Sequence, residues 1–268
     1  MKLPIFDLQK KKSGEKELPS QFSEGYRPDL IKRSVHALQS AARQPHGANP
    51  KAGMRHSSSL SKRRRKYRGS YGFGISRVNR KILSRRGTRM FWVGAFSPQT
   101  VGGRRSHAPK ATKILELKIN KKENRKAIRS AMSVVLNKNV VERRGHKVPT
   151  EYPFIIDSAL EKINKTTDAK KALLDLGFSD ELERSAYKKI RAGIGKLRGR
   201  RYQRKRGVLI VVGADCPLLK SASNIPGVDI VASSALNANL LAPGAMPGRA
   251  TLWTENAINV IEEKKLFV

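Results

Sequence analysis

Residues 30–115 contain no Asp or Glu, and within that run residues 43–110 carry 18 Lys and Arg in 68 positions. A field of one sign repels itself and opposes compaction, so an ordinary folded surface intersperses both signs. The run therefore needs a partner that carries negative charge. Its arginines cluster as Arg63-Arg64-Arg65, Arg85-Arg86 and Arg104-Arg105, broken by glycines and by single aromatics such as Tyr67, Tyr71, Phe73 and Trp92. Arginine offers planar multi-donor contact to phosphate, glycine lets a backbone approach closely, and rings stack on bases.

Without that run the chain is of single-domain size, with apolar content adequate for one core. The formal net charge is +35, and removing the run still leaves 38 basic against 21 acidic residues. Nucleic acid is the expected polyanion. Anionic membrane is the competing one, but the run lacks an amphipathic stripe and is interrupted by glycines and prolines, so no membrane partner is expected. The single cysteine, Cys216, has no intramolecular disulfide partner, which suits a reducing compartment, and reads as a small buried apolar residue at a strand end. Residues 1–12 hold no apolar core of signal-peptide length, and the longest apolar run, 208–212, is too short to span a bilayer. A soluble, cytoplasmic protein is expected.

Along the chain, residues 2–8 read as a short extended segment. A helix starts near Pro28 with Asp29 in its first turn and Ile31, Val35, Leu38 and Ala42 on its buried face. No apolar periodicity follows until Pro109. Irregular backbone of that length inside a compact domain is functional or disordered, and used out and back it reaches at most roughly 110 Å. Free, it is expected to be disordered. Asn120 opens a second helix, with Glu123 placed for a capping box and Ile128, Ala131, Met132 and Val135 inward. Strands are predicted at 152–157, 208–212, 228–231 and 251–253, with helices capped by Thr167, Ser179 and Thr254 among them and helical turns at 218–223 and 236–241. Lys188, Lys189 and Arg191 are assigned to the last turn of the Ser179 helix. This alternation predicts an α/β fold: a three-layer α/β/α domain with a mostly parallel four-stranded sheet, plus a long irregular basic extension. The domain comprises 1–42 and 111–268, and the extension is the inserted arm 43–110. A second acid-free stretch, 184–206, holds 11 Lys and Arg and reads as a second phosphate-facing patch.

Motifs for chemistry are sparse. Gly72-Phe73-Gly74 and Gly193-Ile194-Gly195 do not complete a dinucleotide-binding glycine loop and read as flexible points or close approaches to RNA. Asp157 and Asp215 stand at carboxyl ends of predicted parallel strands, where a shared divalent metal would make a nucleic-acid hydrolase. No third ligand accompanies them, and the cap or loop reading is favoured. The five histidines have no metal-ligand spacing, so no metal, cofactor or catalytic residue is assigned. His46, His56 and His107 lie in the arm, where contact with RNA is expected. A non-specific nucleic-acid packaging protein is the other alternative.

The sequence also resembles the universal large-subunit ribosomal protein four family in its archaeal form. The resemblance is carried by Arg27-Pro-Asp-Leu-Ile-Lys-Arg33, Arg43-Gln-Pro-His-Gly47, Lys51-Ala-Gly-Met-Arg55 and Gly102-Gly-Arg-Arg-Ser-His-Ala-Pro-Lys110. It continues through Arg144-Gly-His146, Ile190-Arg-Ala-Gly-Ile-Gly-Lys196, Arg198-Gly-Arg200, Asn224-Ile-Pro-Gly-Val228 and Gly248-Arg249, in family order over nearly the whole chain. It implies a non-enzymatic constituent of the large subunit whose extension threads into ribosomal RNA, assists assembly and reaches the nascent-peptide exit tunnel. The implied partners are ribosomal RNA, neighbouring ribosomal proteins including the twenty-two family, and the nascent peptide near an arm tip around residues 67–86. Arg104, Arg105, Lys196, Arg198 and Arg200 fall within matching motifs and are implied RNA contacts. The arm's own composition adds Arg43, Lys51, Arg55, Arg63, Arg64, Arg65, Tyr67, Arg68, Arg77, Arg80, Arg85, Arg86, Arg89, Trp92 and His107, and the second patch adds Arg201.

Overall fold

The computed structural model describes residues 1–268. It divides into two compact units, one formed by Met1–Ala42 with Glu116–Val268 and the other by Arg43–Leu115. In chain order the first unit begins with β1 (Lys2–Phe6), β2 (Lys12–Glu17) and α1 (Pro28–Ala41), and the second contributes β3 (Arg80–Arg86) and β4 (Arg89–Gly94). The first unit resumes with α2 (Lys121–Val135), α3 (Lys138–Arg143), β5 (Ile155–Ile156), α4 (Thr166–Asp175) and α5 (Ser179–Ala186). A small hairpin of β6 (Lys188–Ile190) and β7 (Tyr202–Arg204) precedes β8 (Leu209–Val212), α6 (Leu218–Ser221), β9 (Asp229–Ala232), α7 (Ala238–Leu241), β10 (Thr251–Thr254) and α8 (Glu255–Glu263).

Six strands of the first unit form one sheet in the order β2-β1-β5-β10-β8-β9. Only the β1–β2 pairing is antiparallel. The four strands expected from the sequence are joined by two more, because the N-terminal segment folds as a hairpin whose β1 pairs with β5. The second of these, Lys-Ser-Gly-Glu-Lys-Glu, carries no apolar face and so reads as a loop. As an edge strand it needs none, and its charges discourage further strand pairing.

All four residues of β8 are buried, as expected for a strand covered on both faces. Successive side chains point to opposite faces. Leu209 and Val211 therefore enter one core with Ile31 and Val35 of α1, Ile128 and Met132 of α2, and Ile258 and Ile261 of α8. Ile210 and Val212 enter another with Leu173 of α4, Leu182 of α5 and Leu218 of α6. Trp253 is core, meeting Phe22 edge-on at 5.0 Å. Burial of a Phe-sized side chain stabilises by about 2 kcal/mol over exposure.

The helices depart from expectation at their ends. On α1 Ile31 and Val35 are buried, but Ala42 lies beyond the helix and is exposed, and Ser34, Ala37 and Ser40 complete the inward face. The α2 stripe is buried throughout, although the Asn120 side chain accepts no capping bond. The N-cap positions of α4 and α5 are Lys165 and Phe178 instead of Thr167 and Ser179. Both hydroxyls donate to the next residue's carboxylate, Asp168 at 3.4 Å and Asp180 at 3.3 Å. Thr254 does cap α8, its Oγ1 accepting from the Ala257 N–H at 3.2 Å. Lys188 and Lys189 leave the expected helix because Tyr187 is extended and Lys188–Ile190 pairs with Tyr202–Arg204.

The second unit is not irregular throughout. Its β3 and β4 pair antiparallel around Gly87-Thr88, with Arg86 opposite Arg89. A register shift between Ile82 and Ser84 leaves Leu83 unpaired. An inserted residue flips the alternation, so no period of two runs through β3. In β4 Met90 and Trp92 are the more buried positions, and Arg89, Phe91 and Val93 the exposed ones. No helix of the chain is long and apolar enough to cross a membrane.

Candidate nucleic-acid interface

None of the basic side chains in 43–110 takes part in an ion pair; every ion pair lies outside that segment. Aromatic rings take the place of carboxylates. Tyr71 holds the guanidinium groups of Arg77 at 5.4 Å and Arg64 at 5.9 Å from its ring centre. Tyr67 holds Arg85 at 5.6 Å and Arg68 at 5.7 Å, Arg80 lies over Trp92 at 5.8 Å, and Arg89 over Phe91 at 5.5 Å. Such contacts are worth about 0.5–1 kcal/mol at exposed sites, and they position a cation without neutralising it. The rings that sequence reasoning assigned to base stacking thus also serve as supports for the arginines.

The remaining arm residues predicted to touch RNA are at the surface. Arg43, Lys51, Arg55, Arg63, Arg64, Arg65, Arg86, Arg105 and His107 are exposed, while Arg104 is half-buried. Outgoing and returning segments of this unit approach closely: the Ala48 N–H donates to the Pro109 carbonyl at 2.9 Å, and His56 Nε2 lies 3.2 Å from the Gly102 carbonyl oxygen. Gly53 has φ +71°, and a Cβ there would sit 2.3 Å from the Gly103 carbonyl oxygen; one on Gly103 would sit 2.0 Å from that of Ser97. These glycines serve backbone packing within the unit. Gly53→Val is expected to destabilise the turn by more than about 1 kcal/mol, seen as faster hydrogen exchange across 97–104.

The second patch is the β6–β7 hairpin. Lys196, Arg198, Arg200 and Arg201 are exposed there, and the Tyr202 ring holds Lys188 at 4.6 Å and Arg201 at 5.7 Å. A buried charge network, which the sequence did not reveal, anchors its neck. Glu181, fully buried, accepts from Arg184 Nη2 at 2.6 Å and Nε at 2.8 Å, His146 Nδ1 at 2.7 Å and the Lys147 N–H at 2.9 Å. Arg184 Nη2 also donates to the Arg206 carbonyl at 2.7 Å, tying the two ends of the hairpin together. Buried Arg249 donates to the Gly207 carbonyl at 2.8 Å and pairs with Asp229 at 2.6 Å, and Asp229 in turn receives Arg206 at 3.0 Å. Desolvation opposes the Glu181 charge, but Arg184, His146 and the Lys147 amide outweigh it and hold the carboxyl at about 2. Burial pushes His146 down despite Glu181 beside it.

Asp157 and Asp215 have different surroundings. Asp157 accepts from the Ser158 hydroxyl at 3.1 Å at the end of β5. Asp215 lines a cavity of about 600 Å³ with Glu161, Cys216 and Glu255. Glu161 is committed to the strand ends, accepting from Thr254 Oγ1 at 2.6 Å, the Gly213 N–H at 2.9 Å and Asn256 Nδ2 at 3.0 Å. No group of three or more His, Cys, Asp or Glu side chains is placed to hold a metal ion. Cys216, expected to be buried, is half-exposed at this cavity, and desolvation raises its thiol pKa.

A family model described as the ribosomal protein L4/L1 family matches residues 16–264. The chain belongs to that family. A curated relative, the large ribosomal subunit protein uL4 of Nanoarchaeum equitans, is 47% identical over 268 residues, the full length of both chains. The proteins of the same description from Archaeoglobus fulgidus and Methanocaldococcus jannaschii are 42% and 41% identical, each covering 98% of this chain and 99% of the relative. Membership makes this a ribosomal protein with a structural rather than an enzymatic role.

Proposed function

We propose that this chain is a structural constituent of the large ribosomal subunit. It binds ribosomal RNA, assists subunit assembly, and contributes residues around 67–86 to the wall of the nascent-peptide exit tunnel. The observation that carries the reading is the segment 43–110, with 18 basic side chains and no ion pair among them. Residues 1–42 and 111–268 form a three-layer α/β/α domain that docks on RNA, a reading supported by the two cores on alternate sides of β8. The arm threads between RNA segments as its arginines replace condensed counterions, which favours binding by releasing them. Neighbouring ribosomal proteins, the twenty-two family among them, and the nascent peptide are its other contacts.

Photo-crosslinkers placed at Arg65, Arg77 and Trp92 in assembled ribosomes test this. The expected products join all three positions to large-subunit RNA, with a stalled nascent peptide captured from at least one of them. Crosslinks confined to small-subunit RNA, or none to RNA, would refute it.

A further inference from the structure

A pocket of about 230 Å³ opens within the second unit, lined by Ser57, Ser59, Arg68, Arg80, Ile82 and Trp92. Two guanidinium groups reach it already oriented. Arg68 Nη1 donates to Ser59 Oγ at 2.9 Å; Arg80 Nη2 donates to the Ser76 carbonyl at 3.1 Å, with its guanidinium over the Trp92 ring at 5.8 Å. The Nε–H of each is buried and has no acceptor. A buried donor left unpaired is costly, more so on a cation, and the acid-free segment offers no carboxylate to satisfy either one. The two Nε–H groups are themselves sealed from solvent, but the guanidinium charges they belong to line the pocket with no carboxylate in the segment, so an anion supplied from outside is their available counter-charge. Ile82 and Trp92 add an apolar and aromatic wall that a bare phosphate would leave unused. The volume is below the roughly 300–1,000 Å³ of pockets for drug-sized ligands, which limits the occupant to one small unit.

We propose that this pocket holds one unpaired nucleotide of RNA, with its phosphate against the guanidinium groups of Arg68 and Arg80 and its base against the Trp92 and Ile82 wall. The assignment rests on the RNA-binding reading above and deepens it, converting part of a diffuse electrostatic contact into recognition of a single-stranded position. Sequence-specific RNA recognition uses such splayed bases, since a duplex keeps its bases stacked away from side chains.

Trp92 reports on the pocket, because the only other tryptophan, Trp253, is 1% exposed. The full chain is titrated with adenosine 5′-monophosphate, inorganic phosphate, and single-stranded and duplex RNA of equal length, reading tryptophan emission. The expected result is saturable quenching by the nucleotide and the single strand, abolished in Trp92→Phe. In Arg68→Met and Arg80→Met the nucleotide should bind at least 10-fold more weakly, whereas Lys171→Met, an exposed position on α4 of the first unit, should leave the nucleotide response intact. Ser59→Ala, which frees Arg68 without removing charge, should weaken nucleotide binding in the same direction. Inorganic phosphate competing as tightly as the nucleotide would make this an anion site only and overturn the assignment. So would unchanged emission while RNA binds normally. Loss of RNA binding altogether would instead sink the reading of function on which the pocket rests.

Discussion

Raising salt from 50 to 200 mM should weaken binding of the full chain to large-subunit RNA by about 10³- to 10⁵-fold. Each phosphate neutralised by Lys or Arg releases condensed counterions, and added salt opposes that release. If half of the 18 basic side chains of 43–110 contact phosphate, the slope of log affinity against log salt is about −6 with the single-strand coefficient. Nothing in the segment competes for these charges, since its cation–π contacts leave the guanidinium groups ionised and its ion pairs number none. Replacing 44–110 by a short Gly-Ser linker should reduce the slope to the share contributed by the β6–β7 hairpin. Filter binding or fluorescence anisotropy across a salt series measures both slopes, and an affinity nearly independent of salt would refute the electrostatic mechanism. Random RNA competing as well as large-subunit RNA at physiological salt would instead mark a packaging protein.

The features legible in the sequence are those written over consecutive residues. The buried run Leu209-Ile-Val-Val212 and the α2 stripe of Ile128, Ala131, Met132 and Val135 each specify an element and its buried face by period alone, and the structure buries all of these residues. The acid-free run is local in the same sense, so the need for a polyanion could be read from it directly. Five strands escaped because their signal is interrupted or absent: the bulge at Leu83 breaks the alternation of β3 and leaves its partner β4 unread, β2 has no apolar face, and β6 and β7 are short and fully exposed. The Glu181 network escaped for a different reason. His146, Glu181, Arg206, Asp229 and Arg249 are scattered over about a hundred residues, and each alone reads as a surface charge. The motifs Arg144-Gly-His146 and Gly248-Arg249 carried the family resemblance, and the structure gives His146 and Arg249 an anchoring role beneath the second basic patch.

Glu181→Ala should destabilise the first unit by about 3–5 kcal/mol, because it leaves Arg184 and His146 buried or half-buried without their shared acceptor. The pH dependence points the same way. The Glu181 carboxyl is held at about 2 against an ordinary 4.5, so its contribution, about 3 kcal/mol, is fully present above pH 4.5 and is lost as pH falls towards 2. His146 has a folded pKa below its ordinary 6.5, so acidification protonates the unfolded chain first and stability begins to fall below pH 6.5. Denaturant midpoints should therefore decline in two stages on acidification, and Glu181→Ala should shrink the lower one, leaving the part due to carboxylates such as Asp29. The variant also bears on function, since Glu181 orients the same Arg184 Nη2 that closes the hairpin neck on the Arg206 carbonyl. Hydrogen exchange should quicken across 187–206 more than across β8 or α2, and binding through Lys196, Arg198 and Arg200 should weaken as their platform loosens. Equal acceleration throughout the unit would reduce Glu181 to a general stabiliser with no special hold on the second patch.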